Sequence, residues 1–292
     1  MTLAEMNEIQ ARTFLEKIVW GQNPTCPHCG HSHATTIEGD TARDGLYCCS
    51  KCRKQFTVTV GTVMHRSKLP IKTWLMAFYL VCSSKKGISS LQLQRQLGLG
   101  SYRTAWMLAQ KIRKAMEMNP EFEKLFGYVE ADETYIGGKG NRRGRGSEKK
   151  TPIAGVQERS GNVYCKPVKH VDADTLQDFI KKAVDLRSVL ITDEWKSYNK
   201  VGKLMTDHYV INHSTGEYVR GDISTNWIES FWSLLKKGIG GIFHHVSIKH
   251  LALYCDEFCF RWNHRNADDW TCFENALKSI VGKRIEYKQL TC

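Results

Sequence analysis

No apolar run in the sequence approaches the ~20 residues that a membrane-spanning helix needs, which excludes a helical membrane protein. Internal repeats and low-complexity tracts are also missing, so repeat and linker-like architectures are set aside. The opening stretch, MTLAEMNEIQARTFLEKIVW, lacks a continuous apolar segment and carries acids, and therefore reads as an amphipathic helix and not as a signal peptide. Acid is in short supply: 30 Asp plus Glu stand against 42 Lys plus Arg, a formal net charge of +12. Such an excess is drawn to polyanions, and nucleic acid is the first partner it suggests.

What is present begins with eleven cysteines in 292 residues. Without a secretion signal they argue against a disulfide scaffold and for a reducing compartment, where clustered cysteines hold metal. The expected location is cytoplasmic and nucleoid-associated. TCPHCGH sets Cys26 and Cys29 in a CxxC, and LYCCSKC gives Cys49 and Cys52 a second one. Each such turn presents two sulfurs to one ion, so the four thiolates predict a structural Zn²⁺ in a ribbon too small to fold unaided. Cys48 competes with Cys49, but only Cys49 keeps the CxxC spacing. His28, His31 and His33 read as solvated loop residues. Cys82, Cys165, Cys255, Cys259, Cys272 and Cys292 keep no such spacing and read as small core residues.

Residues 62–118 show helical periodicity broken at Lys86-Gly87 and at Gly98 to Gly100, which predicts three helices. Ser89 or Ser90 caps the second, and the third begins near Ser101. A sharp glycine-containing turn between two short helices predicts a helix-turn-helix, with Tyr102, Arg103 and Thr104 facing base edges. Lys111, Arg113 and Lys114 are placed to meet phosphates. An ordinary three-helix bundle is the competing reading. A proline-stopped linker is expected at Asn119 and Pro120.

Beyond it, YVEADETYIGG is a short alternating run, followed by the basic loop Lys139 to Lys150 and a hairpin turned at Ser160 to Asn162. A helix capped by Asp172 or Asp174, an apolar strand ending in Asp193, the strand HYVIN and a long helix from Asn226 complete the series. This βββαβαβα order matches a ribonuclease-H-like mixed sheet with an antiparallel hairpin at one edge. Asp132 then lies on the first strand, Asp193 at the end of the fourth, and Glu229 in the late helix, with Lys236 two turns further along the same face. Three carboxylates in this arrangement suit two divalent ions acting on a phosphodiester, Mg²⁺ or Mn²⁺ by their preference for oxygen. Glu133 and Glu194 are the fallback acids, although strand alternation turns them to the opposite face. Trp232, Trp262, Phe231 and Phe258 fall at helical spacings and read as core.

Taken together, CPHCG, CSKCRKQFTVTVGTVMHRSKLPIKTW, SKKGISSLQLQRQLG, VEADETYIGGK, ITDEWKSY and NWIESFWSLLKKGIGGIFHHVSIKHLALYCDEFCFRWNHR resemble the ISXO2-like DDE transposases of bacterial insertion sequences across nearly the whole chain. The resemblance implies a ribonuclease-H-like catalytic domain, double-stranded DNA partners (element ends and target), strand cleavage followed by transfer, and at least a homodimer during synapsis. Family members are often described with Asn in the third catalytic position, which brings Asn226 forward beside Glu229; a carboxylate binds a hard cation more strongly than an amide, which favours Glu229. Lys236, Lys237 and His245, with Arg142, Arg143 and Arg145 of the basic loop, are the expected DNA contacts near the chemistry.

The expected architecture is multidomain α+β: a helix over 1–21, a zinc ribbon over 22–60, a helix-turn-helix over 62–118 and a ribonuclease-H-like catalytic domain over 120–292. Two alternatives share these features: a DNA-binding regulator that retains the scaffold without chemistry, and a structure-selective nuclease that recognises branched DNA.

Overall fold

The computed structural model describes residues 2–39, 42–118, 124–137, 150–211, 219–220 and 223–291. Asn119, Pro120, Arg142, Arg143, Arg145 and Cys292 lie outside the described residues. The chain divides into two units, Met1–Met116 with Ala267–Cys292, and Glu117–Asn266. Among the described residues, no helix is long and apolar enough to cross a membrane.

The first unit opens with α1 (Glu8–Trp20), started by a reciprocal capping box between Asn7 and Gln10. A three-stranded antiparallel ribbon follows, of β1 (Ala34–Thr36), β2 (Tyr47–Cys49) and β3 (Gln55–Phe56). Three helices come next: α2 (Ile71–Ser83), α3 (Ser90–Gln96) and α4 (Tyr102–Ala115). Pro70 gives α2 no side-chain cap; Glu8 supplies it instead, its two carboxylate oxygens accepting from the amides of Ile71 (2.6 Å) and Lys72 (3.1 Å). Ser89 and Ser101 cap α3 and α4, each accepting from the amide three residues on, and Gly98 takes the positive φ (+60°) that the turn between them requires.

The segment 267–292, expected in the catalytic domain, belongs here. α9 (Asp269–Lys278) packs on α1 and α2, with Phe273 against Phe14 and Tyr79. A further short helix, α10 (Tyr287–Thr291), ends the segment. Neither helix was expected from the sequence, and local periodicity cannot say which distant face such a helix covers. The helix expected over 1–21 is likewise part of this unit, through buried Ala11 and Leu15.

The second unit is built on a five-stranded sheet in the order β6-β5-β4-β7-β8. These are β4 (Tyr128–Ile136), β5 (Thr151–Glu158), β6 (Val163–Pro167), β7 (Val189–Asp193) and β8 (Asp207–Ile211). β4, β5 and β6 run antiparallel in series, while β7 pairs parallel with β4 and with β8. The mixed sheet with an antiparallel edge is therefore as expected. α5 (Ala173–Ala183), capped by Asp172, lies on one face, with the four-residue α6 (Asn199–Gly202) after β7. On the other face lie α7 (Asn226–Gly238) and α8 (Ile248–Asn263). A small hairpin of β9 (Val219–Arg220) and β10 (Ile223–Ser224), which the sequence did not suggest, leads into α7.

Alternation along β4 separates two apolar cores. Val129 and Ala131 pack with Leu176 and Ile180 of α5, whereas Ile136 packs with Ile228, Phe231 and Leu235 of α7 and with Phe258 of α8. Each such aliphatic or aromatic side chain contributes roughly 1.5–3 kcal/mol on burial. Cys165, Cys255 and Cys259 are buried in the second core, as expected of small apolar residues.

Candidate active site

On β4, the side chains of Glu130 and Asp132 share the face covered by α7. β4 and β7 are parallel neighbours whose last paired residues are Ala131 and Thr192, so Asp132 and Asp193 stand side by side one step further on. Glu229 comes from the first turns of α7. Asp132, Asp193 and Glu229 line one cleft of about 480 Å³, together with Thr225, Ser233 and Lys236.

Each acid is held in a specific way. Trp232 donates from Nε1 to Asp132 Oδ2 at 3.0 Å. The Trp195 amide donates to Asp193 Oδ1 at 3.0 Å. Thr225 donates from Oγ1 to Glu229 Oε1 at 3.0 Å. The Trp232 contact depends on Gly155, which pairs across the sheet with Asp132. A Cβ on Gly155 would sit 2.5 Å from the Trp232 ring, far inside contact distance, so the missing side chain is what lets the indole lie against the strand.

Glu130 fixes the helix itself. It is 0 % exposed, and its Oε2 accepts from the amides of Trp227 and Ile228, both at 3.0 Å. First-turn amides have no intrahelical partner, and Thr225 offers α7 no side-chain cap. The cap thus comes from the sheet, two residues before Asp132, and sets where Glu229 is presented. Burial pushes the Glu130 carboxyl up to about 7, opposed by the two amide bonds and by Arg159 and reinforced by Glu229.

Burial also pushes Asp132 up to about 7; the charges of Glu133 and Asp193 act in the same direction, against hydrogen bonds from the Glu133 amide and Trp232. Oxygen donors crowded until one resists ionisation are what a hard divalent cation stabilises, so the donor set fits Mg²⁺ or Mn²⁺.

Of the two fallback acids, Glu133 also lines the cleft. The Glu133 carboxylate turns to the α5 face and accepts from the Tyr198 hydroxyl at 2.9 Å, and Glu194 is exposed and not among the cleft-lining residues. Asn226 is exposed and, like Lys237 and His245, does not line the cleft; Lys236 does. Trp232 is 3 % exposed, a core residue as expected, yet one whose polar edge serves the site. Sequence reasoning missed Glu130, Gly155 and Thr225. An acid two residues before Asp132 in an alternating strand was the available signal for the first; nothing local marks the other two.

The metal centre of the first unit is tighter. The sulfurs of Cys26, Cys29, Cys49 and Cys52 lie within 4.8 Å of one another, the single such group among the described residues. Cys26–Cys52 and Cys29–Cys49 are 3.7 and 3.6 Å apart, near the roughly 3.8 Å edge of a tetrahedron with ~2.3 Å Zn–S bonds. Gly30 (φ +72°) and Arg53 (φ +60°) turn the two knuckles. Cys48 points away, its thiol on the Arg53 carbonyl, and no histidine joins the group.

Of the residues expected to read DNA, Tyr102 is exposed, Thr104 is hydrogen-bonded to Ser101, and Arg103 lies 4.0 Å over the Tyr287 ring. Lys111 is half-buried. Arg113, expected to meet phosphates, is 2 % exposed and faces the interior, because its position falls on the same stripe of α4 as Ala109 and Ile112.

Residues 124–263 match the ISXO2-like transposase domain, and residues 6–55 match a transposase zinc-ribbon domain. A protein in transposable element ISH50 of Halobacterium salinarum is 27 % identical over 252 residues, covering 80 % of this chain and 83 % of its own. A transposase-like protein of Haemophilus influenzae is 31 % identical over 101 residues, which is 35 % of this chain and 80 % of its own. No solved structure matches the chain.

Proposed function

Since the chain belongs to the ISXO2-like transposases, we propose that it binds the terminal inverted repeats of an insertion sequence, cleaves a strand at the element end and joins it to target DNA. The observation that carries this reading is the meeting of Asp132, Asp193 and Glu229 in one cleft, from two adjacent parallel strands and a helix capped by the sheet.

In this reading the second unit is a ribonuclease-H-like catalytic body, α3 and α4 form a helix-turn-helix, and Asp132, Asp193 and Glu229 hold two Mg²⁺ or Mn²⁺ ions. Such ions, when bound, would activate the attacking oxygen and stabilise the leaving one. Lining of the cleft by Glu229 and not by Asn226 supports the glutamate as third ligand. Trp232 and Thr225 aim the carboxylates. Lys236, on the cleft wall, meets a phosphate of the scissile strand. A bond forms from water or a 3′-hydroxyl to phosphorus as the bond to the 3′ oxygen breaks; the nucleophile loses its proton to solvent and the leaving oxygen gains one. Two ends must be held together for transfer, so the active form is a homodimer or larger.

The test is incubation of the full-length chain and Mg²⁺ with duplex DNA carrying the element ends, beside a branched junction of unrelated sequence. Nicked and joined products from the end-bearing duplex are expected. Equal cutting by Asp132→Ala or Asp193→Ala overturns the site assignment, and a preference for the junction overturns the transposase reading in favour of a nuclease.

A further inference from the structure

The first unit contains a groove of about 680 Å³ walled by three separate stretches of chain: the loop that follows the zinc ribbon, one face of α4, and the segment after α9. Each wall brings positive charge. Arg66 and Lys68 come from the loop, Arg103 and Lys111 from α4, and Arg284 from the C-terminal segment. Glu286 is the one carboxylate residue of the lining, and Arg284 pairs with it.

Five cations in one groove repel one another, and the fold nonetheless holds them there. Burial pushes the Lys111 ammonium below the usual lysine range, and the charge of Arg284 pushes it the same way. His65 in the same lining is lowered by burial and then by Arg284, Arg66 and Lys111. Arg103 is held 4.0 Å over the Tyr287 ring, a contact through the ring face that does not use up the guanidinium's N–H donors. Concentrated like charge of this kind is relieved by an anion. One small anion neutralises little of it, whereas duplex DNA offers a negative charge about every 1.7 Å of its axis.

We propose that this groove binds the phosphate backbone of duplex DNA, with Arg66, Lys68, Arg103, Lys111 and Arg284 as its contacts and the C-terminal segment as a working part of the DNA-binding unit. The proposal rests on the DNA-processing reading above. It also reassigns Arg103 from reading base edges to gripping phosphate, from its position on Tyr287.

The experiment is fluorescence anisotropy of a labelled duplex of arbitrary sequence with the full-length chain across a salt series. Arg284→Gln and Lys111→Gln are each expected to weaken binding to all sequences alike and to reduce the slope of log affinity against log salt by about 0.9. Arg284→Lys is expected to keep the parental slope. Lys288→Gln removes a charge from the same segment but outside the groove lining, and is expected to change neither quantity. Arg284 is exposed, so it carries the test should Lys111→Gln lower the melting temperature. Parental affinity and slope in Arg284→Gln, or an equal loss in Lys288→Gln, overturns the groove. In that event Mg²⁺-dependent cutting of end-bearing DNA by the same preparations leaves the transposase reading standing. A parent chain that binds no duplex overturns both.

Discussion

Gly155 and Trp232 form a pair in which one residue's lack of a side chain sets the other's position. The indole lies where a Gly155 Cβ would be, and from there its Nε1 reaches Asp132. The strand, the helix and the carboxylate are thereby linked through a single close approach of ring to backbone.

Gly155→Ala is therefore expected to displace the ring and to destabilise the second unit by about 1–3 kcal/mol, the usual cost of overpacking. Trp232→Phe keeps most of the packing and removes only the donor. It is expected to lower strand cleavage while leaving the melting temperature nearly unchanged; a cleavage rate equal to the parent's would dissociate the indole from the chemistry.

Glu130→Ala leaves two first-turn amides of α7 without their acceptor, at a cost of roughly 1–3 kcal/mol. Glu130→Gln retains a carbonyl oxygen for them. Cleavage of end-bearing DNA is expected to fall strongly in the alanine variant and largely to survive in the glutamine variant, with duplex affinity alike in both. Equal activity in all three proteins would sink the role given to the cap.

The third ligand is decided by comparing Glu229→Ala with Asn226→Ala in Mg²⁺-dependent cleavage. Loss of a metal-binding carboxylate removes several kcal/mol of transition-state stabilisation, on the order of a hundredfold or more in rate. That loss is expected for Glu229 and not for Asn226. The reverse order would transfer the role to the asparagine.

Zinc content separates Cys49 from Cys48. Elemental analysis is expected to find one zinc per chain in the parent and in Cys48→Ala, and none in Cys49→Ala. Because structural zinc contributes about 10–16 kcal/mol of binding free energy in small zinc-finger peptides, chelation is expected to unfold the ribbon of β1, β2 and β3. Zinc retained in Cys49→Ala would exclude that cysteine as a ligand.

Alkaline stability follows from Lys166, whose ammonium meets Asp256 of α8 at 2.6 Å. Burial alone would lower its pKa, but Asp256 overrides this and the net shift is upward. A raised lysine stabilises the fold fully below its unfolded value of about 10.4, and that contribution is lost as pH rises through the folded value. Lys166→Met removes a charge-assisted hydrogen bond from a nearly buried carboxylate and is expected to cost roughly 1.5–3 kcal/mol at neutral pH. Thermal melts from pH 7 to 11 check both: the gap between parent and variant should begin to narrow above pH ~10.4, and a constant gap would refute the linkage.

Much of this arrangement was legible in the sequence because it is written locally. CxxC spacing marked Cys26, Cys29, Cys49 and Cys52, serine caps marked α3 and α4, and an apolar strand running into an acid marked Asp193. What escaped depends on partners far along the chain. Glu130 looks like one more strand acid until α7 arrives to need it, Gly155 like a weak strand residue until Trp232 lies on it, and Arg113 like a surface cation until its stripe of α4 is packed. α9 escaped altogether, and its destination would have escaped for the same reason: an amphipathic pattern states that a helix must be covered, but not by which face.

That destination bears on how the protein is made. Glu117–Asn266 is inserted in sequence between α4 and α9, so during translation the face of α2 that carries Tyr79 is synthesised long before Trp270 and Phe273 of α9, the rings that pack on it. At 5–20 residues per second, those intervening residues take about 8–30 s to emerge. The second unit can condense on the ribosome while the unit begun first stays open, and a product of premature termination would carry the three carboxylates but leave the basic groove without its third wall.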